Sequence, residues 1–270
     1  MKIKNKTILV TGAGSGIGKE IALALLEKKA EVVAVDLREA TLQELKKTVD
    51  ANIGCLSAYV TDISNKSAVE TLLKDVVAKE GNIDGIINCA GIIQPFVRVN
   101  DLDYDAINKV MNVNFFGTLY MIKAFLPYLL KRPEAHIVNV SSMGGFLPVP
   151  GQSVYGASKA AVKLLSEGLY AELVDTNVRV SVVFPGATAT NISKNSGVKI
   201  SINAKNNPKK QDLPTLSAYE AAKIIINGIE KNKPQIFTGR DSKLMNILYR
   251  INPVFATNFI AKQMKSLLPK

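Results

Sequence analysis

A short β-rich run, Lys6-Thr-Ile-Leu-Val-Thr11, leads into Gly12-Ala-Gly-Ser-Gly16-Ile-Gly18 and then a helical pattern through Ile21, Leu25 and Leu26. No other passage limits the possible folds as much, because it reads as strand, tight turn and helix in immediate succession. Residues without a Cβ let the backbone bend sharply there and let a pyrophosphate approach the helix N-terminus, where free N–H groups and the helix dipole favour anions. The spacing is not the common G-x-G-x-x-G fingerprint, since Ile17 stands where its third glycine belongs. It is Thr11-Gly-x-x-x-Gly-x-Gly18, with Ser15 inside the turn.

Glu31-Val-Val-Ala-Val-Asp36 reads as the next strand. It ends in a carboxylate about 20 residues beyond the glycines, where the ribose 2′-hydroxyl of a dinucleotide would sit. A carboxylate accepts hydrogen bonds from the ribose diol and repels a 2′-phosphate, so Asp36 favours NAD over NADP. Arg38 is the competing signal, a cation two positions on that could reach a 2′-phosphate.

Farther along, Tyr155-Gly-Ala-Ser-Lys159 puts a phenol and an ammonium on one face of a helix. In a lysine-rich chain with 8 tyrosines, about one Tyr-x-x-x-Lys arises by chance, and a second copy stands at Tyr219 to Lys223. Context separates the two. Ser142 closes the apolar run His136-Ile-Val-Asn-Val-Ser-Ser142, which reads as a buried strand ahead of Tyr155. A strand-end serine beside a helical tyrosine and lysine is, in outline, a hydride-transfer arrangement.

In order along the chain stand the Thr11 to Gly18 turn, Asp62 after a third strand, Asn88-Cys-Ala-Gly91, Asn114 in Asn-Val-Asn-Phe-Phe-Gly117, Ser142, Tyr155 with Lys159, and Pro185-Gly-Ala-Thr-Ala-Thr190. From about Lys6 to Thr190 this series resembles the short-chain dehydrogenase/reductase family. The resemblance implies an NAD(P)-dependent enzyme that interconverts a secondary alcohol and a ketone, with Asn114, Ser142, Tyr155 and Lys159 as its catalytic set. It implies cofactor contacts from Thr11, Gly12, Ser15, Gly16, Ile17, Gly18, Asp36, Asp62, Ile63, Asn88, Ala90, Gly91, Tyr155, Lys159, Pro185, Gly186, Thr188 and Thr190. Asp62 would meet adenine, Asn88 would support the strand ends beside the adenosine ribose, and Thr190 would contact the nicotinamide carboxamide. Asn114 would hold a water next to Lys159 in a proton relay. Cys89 stands where the family more often has asparagine. Family members usually pair through helices flanking the serine strand, here near Tyr104 to Lys131 and Ser153 to Asp175, which implies a homodimer or homotetramer.

A free phenol titrates near ~10 and is a poor base at neutral pH. The Lys159 ammonium within ~4–6 Å, together with a positive nicotinamide ring, is expected to lower that value. Tyr155 would then take a proton in oxidation and return it in reduction, while the Ser142 hydroxyl orients the reacting oxygen.

With 270 residues, 47% of them hydrophobic and 21% charged, the chain can bury a full core. Further strands read at about 83–88, 136–141, 178–184 and 235–238, with helical patterns between. The expected fold is α/β: one Rossmann-type domain over residues 1–240, its doubly wound, mostly parallel sheet flanked by helices, followed by a C-terminal amphipathic helical extension over 241–270. Residues 191–215 read as a substrate lid. Its Ile192, Val198, Ile200 and Ile202, with Phe146, Leu147 and Val149 after Ser142, suggest an apolar substrate. Cys55 and Cys89 lie on or beside expected core strands, which suits a reducing compartment. With no signal-like start and no spanning run, a cytoplasmic location is expected. The lone His136 has no second histidine with which to build a metal site, so none is expected.

The formal charge of +11 is concentrated late: residues 191–270 carry 14 Lys+Arg against 4 Asp+Glu. Apolar positions from Leu244 to Leu268, interrupted by Pro253, form two amphipathic stretches there. Three readings stand for this segment: packing on the body or a partner subunit, peripheral contact with an anionic membrane through 240–270, or an acidic partner or substrate such as an acyl carrier or coenzyme A ester. No nucleic-acid partner is expected, because basicity comes without a recognition motif. The rival to an enzyme is a non-catalytic dinucleotide-binding sensor, which would have no use for Ser142, Tyr155 and Lys159 at this spacing.

Overall fold

The computed structural model describes residues 1–49, 54–198, 215–265 and 268. Among them, strands form at β1 (Thr7–Thr11), β2 (Glu31–Asp36), β3 (Leu56–Val60), β4 (Gly85–Asn88), β5 (Ala135–Val140), β6 (Val178–Pro185), β7 (Thr188–Ala189), β8 (Leu216–Ser217) and β9 (Gln235–Thr238). Seven build one sheet in the order β3-β2-β1-β4-β5-β6-β9, with every neighbouring pair parallel. β7 and β8 pair only with each other, a short parallel contact that the sequence pattern does not announce.

Helices α1 (Gly16–Glu27) and α2 (Glu39–Thr48) cover one face, and α3 (Lys66–Glu80) the other. The second face is completed by α4 (Tyr104–Met111), which continues through a π-helical turn at Asn112–Gly117 into α5 (Thr118–Leu129), and by the long α6 (Ser153–Glu172). A short α7 (Ile192–Asn195) precedes α8 (Ala218–Glu230), which returns to the first face beside α1. Side chains alternate along each strand, so successive residues feed opposite cores. Val32 and Ala34 join Leu25, Leu42 and Ile225 in one cluster, whereas Val33 and Val35 join Leu72, Phe125 and Leu169 in the other. Because both faces are covered, β2, β4 and β5 read as nearly unbroken apolar runs rather than as alternating ones.

The strand order reverses between β1 and β4. Connections leave these neighbours toward opposite edges of the sheet, which opens a crevice beyond their carboxyl ends.

The late segment forms α9 (Arg240–Ile251) and α10 (Pro253–Met264). Pro253 ends one helix and occupies the first turn of the next, while the Asn252 side chain accepts the Phe255 N–H at 2.9 Å. Asp241 accepts the Ala187 N–H at 2.7 Å and the Ser242 hydroxyl donates to the Phe184 carbonyl at 2.8 Å, which ties α9 to the end of β6. Only part of the expected apolar stripe packs inward: Met245, Leu248, Ile260, Met264 and Leu268 are half-buried, but Leu244, Ile247, Ile251, Phe255 and Phe259 are exposed on this chain. Leu267 and the lid residues Ile200 and Ile202 lie outside the described residues. Among the described residues no helix is long and apolar enough to cross a membrane.

Two expectations about burial need correction. Cys55 is exposed, because it precedes β3, the half-buried edge strand of the sheet. Phe146 and Leu147 do not line the crevice. The turn after Ser142 folds them inward, so Leu147 is fully buried and Phe146 packs edge-on against Phe184 and Phe237.

Candidate active site

The carboxyl ends of the central strands rim an open cleft of about 360 Å³. At one end lies the glycine turn, with Gly12 at φ 70° and Gly16 at φ 55°, both in the left-handed region that favours glycine. A Cβ on Gly12 would stand 2.8 Å from the Ala90 Cα, and one on Gly18 would stand 2.2 Å from the Gly12 carbonyl oxygen. Sequence and sterics therefore agree on why these positions lack side chains. Ser15, at the N-cap of α1, makes no capping hydrogen bond, and Gly16, Ile17 and Gly18 of the first turn line the cleft.

Asp36 closes β2 at the rim. One carboxylate oxygen accepts the Gly14 N–H at 2.9 Å and the other accepts the Arg38 N–H at 3.0 Å. The Arg38 guanidinium lies 3.6 Å from the same carboxylate and donates to Asn195 at 2.8 Å and to the Ser15 hydroxyl at 3.2 Å. The competing cation is thus tied to the acid, to the glycine turn and to α7.

At the other end, Ser142 follows β5 and its Oγ accepts the Gly144 N–H at 3.0 Å. Tyr155 stands beside Ser142, since a Cβ on Gly144 would lie 3.5 Å from both Ser142 Oγ and the Tyr155 ring, and Lys159, one turn along α6, is 4% exposed with its Nζ donating to the Val140 carbonyl at 2.9 Å. The second Tyr-x-x-x-Lys is different in kind. Tyr219 is exposed, and the Lys223 ammonium sits 4.2 Å from its ring centroid on the surface of α8.

The charges are not poised as the sequence suggests. Burial raises the Tyr155 pKa, opposed by the neighbouring Ser142 hydroxyl, and burial lowers that of Lys159 to about 8. In the protein alone, Lys159 therefore does not produce a low-pKa phenol. Desolvation disfavours charge on both groups, and the ammonium is directed at a backbone carbonyl.

Seventeen of the expected residues line the cleft: Gly12, Ser15, Gly16, Ile17, Gly18, Asp36, Asp62, Ile63, Ala90, Gly91, Ser142, Tyr155, Lys159, Pro185, Gly186, Thr188 and Thr190. Thr11, Asn88 and Asn114 stand behind it. The Thr11 hydroxyl accepts the N–H groups of Cys89 and Ala90 at 3.1 and 3.2 Å, so it braces the wall rather than lining it. Asn88 donates to Asn139 at 2.8 Å, joining β4 to β5. Asn114 sits in the π-helical turn, a helix irregularity common at functional sites. Its amide accepts the Ile92 N–H at 2.9 Å and donates to the Ile92 carbonyl and the Ser158 hydroxyl at 3.0 and 2.9 Å. A Cβ on Gly91 would lie 3.1 Å from Lys159 Nζ and 3.3 Å from Asn114 Oδ1, so these two polar atoms flank that glycine.

Lys109 and Ile92 also line the cleft without a signal in the sequence, because each is brought in by tertiary packing alone, and Asn195 joins them from the segment read as a lid. Cys89 lines it too, with burial raising its thiol pKa to about 12, which leaves it unreactive. His136 is buried within β5, bonded to Ser181 at 2.8 Å, and burial lowers its pKa to about 3.

The short chain dehydrogenase family profile matches residues 6–201. A Mycobacterium tuberculosis protein described as an oxidoreductase, SadH, is 32% identical over 252 residues, covering 92% of this chain and 91% of that protein. A 3-oxoacyl-[acyl-carrier-protein] reductase of Thermotoga maritima is 36% identical over 192 residues, covering 70% of this chain and 77% of the reductase. A Burkholderia phymatum short chain dehydrogenase/reductase solved with NAD superposes with TM-score 0.83 at 25% identity over 94% of this chain and 95% of that one. A Burkholderia cenocepacia short chain dehydrogenase solved with NADP gives 0.78 at 27% identity over 96% and 99%. With its sheet, its glycine turn and its Ser142, Tyr155 and Lys159 cluster already placed, this chain belongs to the short chain dehydrogenase family of oxidoreductases.

Proposed function

We propose that the protein is a nicotinamide-dinucleotide oxidoreductase that interconverts a secondary alcohol and a ketone, with NAD preferred to NADP. The observation that carries this reading is the meeting of the Tyr155 hydroxyl with Ser142 at the cleft, beside the buried Lys159.

The lining fits a dinucleotide: the glycine turn bends where a Cβ on Gly12 or Gly18 would collide with backbone, the first turn of α1 opens onto the cleft, and the Asp36 carboxylate stands at the end of β2. Gly12 to Gly18 would hold the pyrophosphate against the first turn of α1, and Asp36 the ribose diol. When bound, the nicotinamide supplies or accepts the hydride. Tyr155 exchanges the proton of the reacting oxygen, as base toward the alcohol and as acid toward the ketone. Ser142 stands beside that phenol in the cleft, where its hydroxyl orients the substrate oxygen. Lys159 holds a positive charge below pH of about 8, so its ammonium adds to the field that favours a phenolate once a second positive group is present. Preference for NAD rests on the carboxylate that faces the ribose position, and on Arg38 being held by that carboxylate, Asn195 and Ser15.

An apolar substrate is supported by Ile92 and Ile192 in the cleft wall. A homo-oligomer is supported by large apolar side chains exposed on the two helices expected to pair, Tyr128 on α5 with Leu164 and Tyr170 on α6. Stopped-flow absorbance of reduced cofactor, with a panel of secondary alcohols of increasing apolar size and either dinucleotide, tests the whole reading. Turnover with NAD above that with NADP is expected, and tight dinucleotide binding with no turnover on any alcohol would overturn it in favour of a sensor.

A further inference from the structure

The catalytic helix α6 begins without a cap of its own. Its N-cap residue, Gln152, makes no side-chain capping bond, and the first turn carries Val154 and, at its third position, Tyr155. The N–H groups of both donate to one atom, Gln94 Oε1, each at 2.9 Å. Gln94 lies in the coil beyond β4 and is 1% exposed. Its amide nitrogen donates to the Gly151 carbonyl at 3.0 Å, and its own carbonyl accepts from Gln152 Nε2 at 2.8 Å. A neutral carboxamide is the side chain that suits this position, since one oxygen must accept twice while the nitrogen donates in the opposite direction.

We propose that Gln94 is a positioning residue for the reaction, a helix cap supplied from a distant segment that fixes the Tyr155 backbone so that the phenol reaches Ser142. It touches neither the substrate oxygen nor the hydride path. Its effect runs through the backbone: the same short segment is pinned at Ile92 by Asn114 and at Ile93 by Ser196, so the wall beside Gly91 and the start of α6 are tied together by one set of hydrogen bonds. A displacement of about 1 Å at the reacting group costs on the order of 100-fold in rate, which is the scale a lost cap of this kind could reach.

The proposal rests on Tyr155 being the acid/base, and three variants separate the two ideas. Gln94→Met keeps the volume and removes the acceptor, Gln94→Glu, its buried carboxyl protonated, keeps the length, the double acceptor and a donor toward the Gly151 carbonyl, and Gln94→Asn keeps the amide but withdraws it by one methylene. Expected are a kcat for Q94M and Q94N lower by on the order of 100-fold, an NADH dissociation constant within about twofold of wild type, and a Q94E kcat within about tenfold. The acidic limb of the kcat–pH profile for oxidation should move to higher pH in Q94M, because Tyr155 shifts away from the neighbouring Ser142 hydroxyl, which opposes its raised pKa. If Q94M does not fold, Q94N against Q94E decides the question. Folded Q94M or Q94N with kcat within threefold of wild type and an unmoved pH limb, or an equal loss in Q94E and Q94N, would sink the positioning role. If Tyr155→Phe instead retains wild-type turnover, it is the acid/base reading that falls, whatever the Gln94 variants do.

Discussion

Two helices begin at the cleft, and they begin differently. The first turn of α1 opens onto it, with Ser15 making no capping bond and three successive residues, Gly16 to Gly18, at the surface of the cleft. The first turn of α6 is closed by protein, its N–H groups satisfied by the distant Gln94. An open start leaves backbone donors and the positive end of the helix dipole for an anionic ligand. A closed start gives up that binding capacity and gains a fixed backbone on which an acid/base can ride. On the proposed function, the difference divides labour within one cleft: α1 for binding, α6 for chemistry.

The largest expected effects come from substitutions that separate these two tasks. Tyr155→Phe should lower kcat by on the order of 1,000-fold or more, since a positioned acid/base contributes on the order of 100- to 10,000-fold, while NADH affinity by fluorescence titration stays within about twofold. Gly18→Ala should do the reverse. Its new methyl would sit 2.2 Å from the Gly12 carbonyl oxygen, so the turn must open. An NADH dissociation constant higher by on the order of 100-fold, equivalent to about 2.7 kcal/mol, is expected with the Tyr155 and Ser142 pair left in place. Should Gly18→Ala bind NADH normally, or Tyr155→Phe lose cofactor along with turnover, the division of labour does not hold.

A pH effect of intermediate size follows from the closed end. Burial lowers the Lys159 pKa from 10.5 to about 8, so between these values the unfolded chain holds a proton that the folded one has released. Unfolding then takes up a proton, and rising pH favours the folded state. Denaturant melts of the cofactor-free wild type and Lys159→Met, compared at intervals from pH 7 to 11, should show wild-type stability gaining on the variant from about pH 8 and levelling above about 10.5. The gain is lost as pH falls through about 8. A difference between the two proteins that stays flat across that range contradicts the buried, depressed ammonium.

Much of this arrangement is legible in the residues. The inner strands β1, β2, β4 and β5 read as apolar runs because both faces are covered, and the pair at Tyr155 is separated from the pair at Tyr219 by the strand-end serine, a long-range relation that happens to be regular in sequence. What escapes notice lacks such regularity. Gln94 meets α6 across 60 and 61 positions from a coil with no periodicity, and the tie from Arg38 to Asn195 spans 157. Phe146 misleads because apolar residues next to a catalytic serine look the same whether a turn sends them to substrate or to core. Cys55 misleads because an edge strand carries the composition of a core strand with only part of its burial.

A third helix start calibrates the other two. Ser217 caps α8 with its own side chain: the hydroxyl accepts the Glu220 N–H at 3.1 Å and Glu220 reaches back to the Ser217 N–H at 3.2 Å, a reciprocal box. Neither residue lines the cleft. Ser217→Ala should therefore cost about 1 kcal/mol in a chemical melt, the usual worth of a local cap, and leave kcat and NADH affinity unchanged. The contrast with Gln94 is the point of the measurement. Both caps satisfy N–H groups in the first turn of a long helix, so if capping mattered only through stability the two losses would have similar consequences for turnover. A Ser217→Ala protein that loses turnover in proportion to its stability would make the same explanation sufficient for Gln94, whereas silent kinetics at Ser217 leave the distance to Tyr155 as what gives the remote cap its effect.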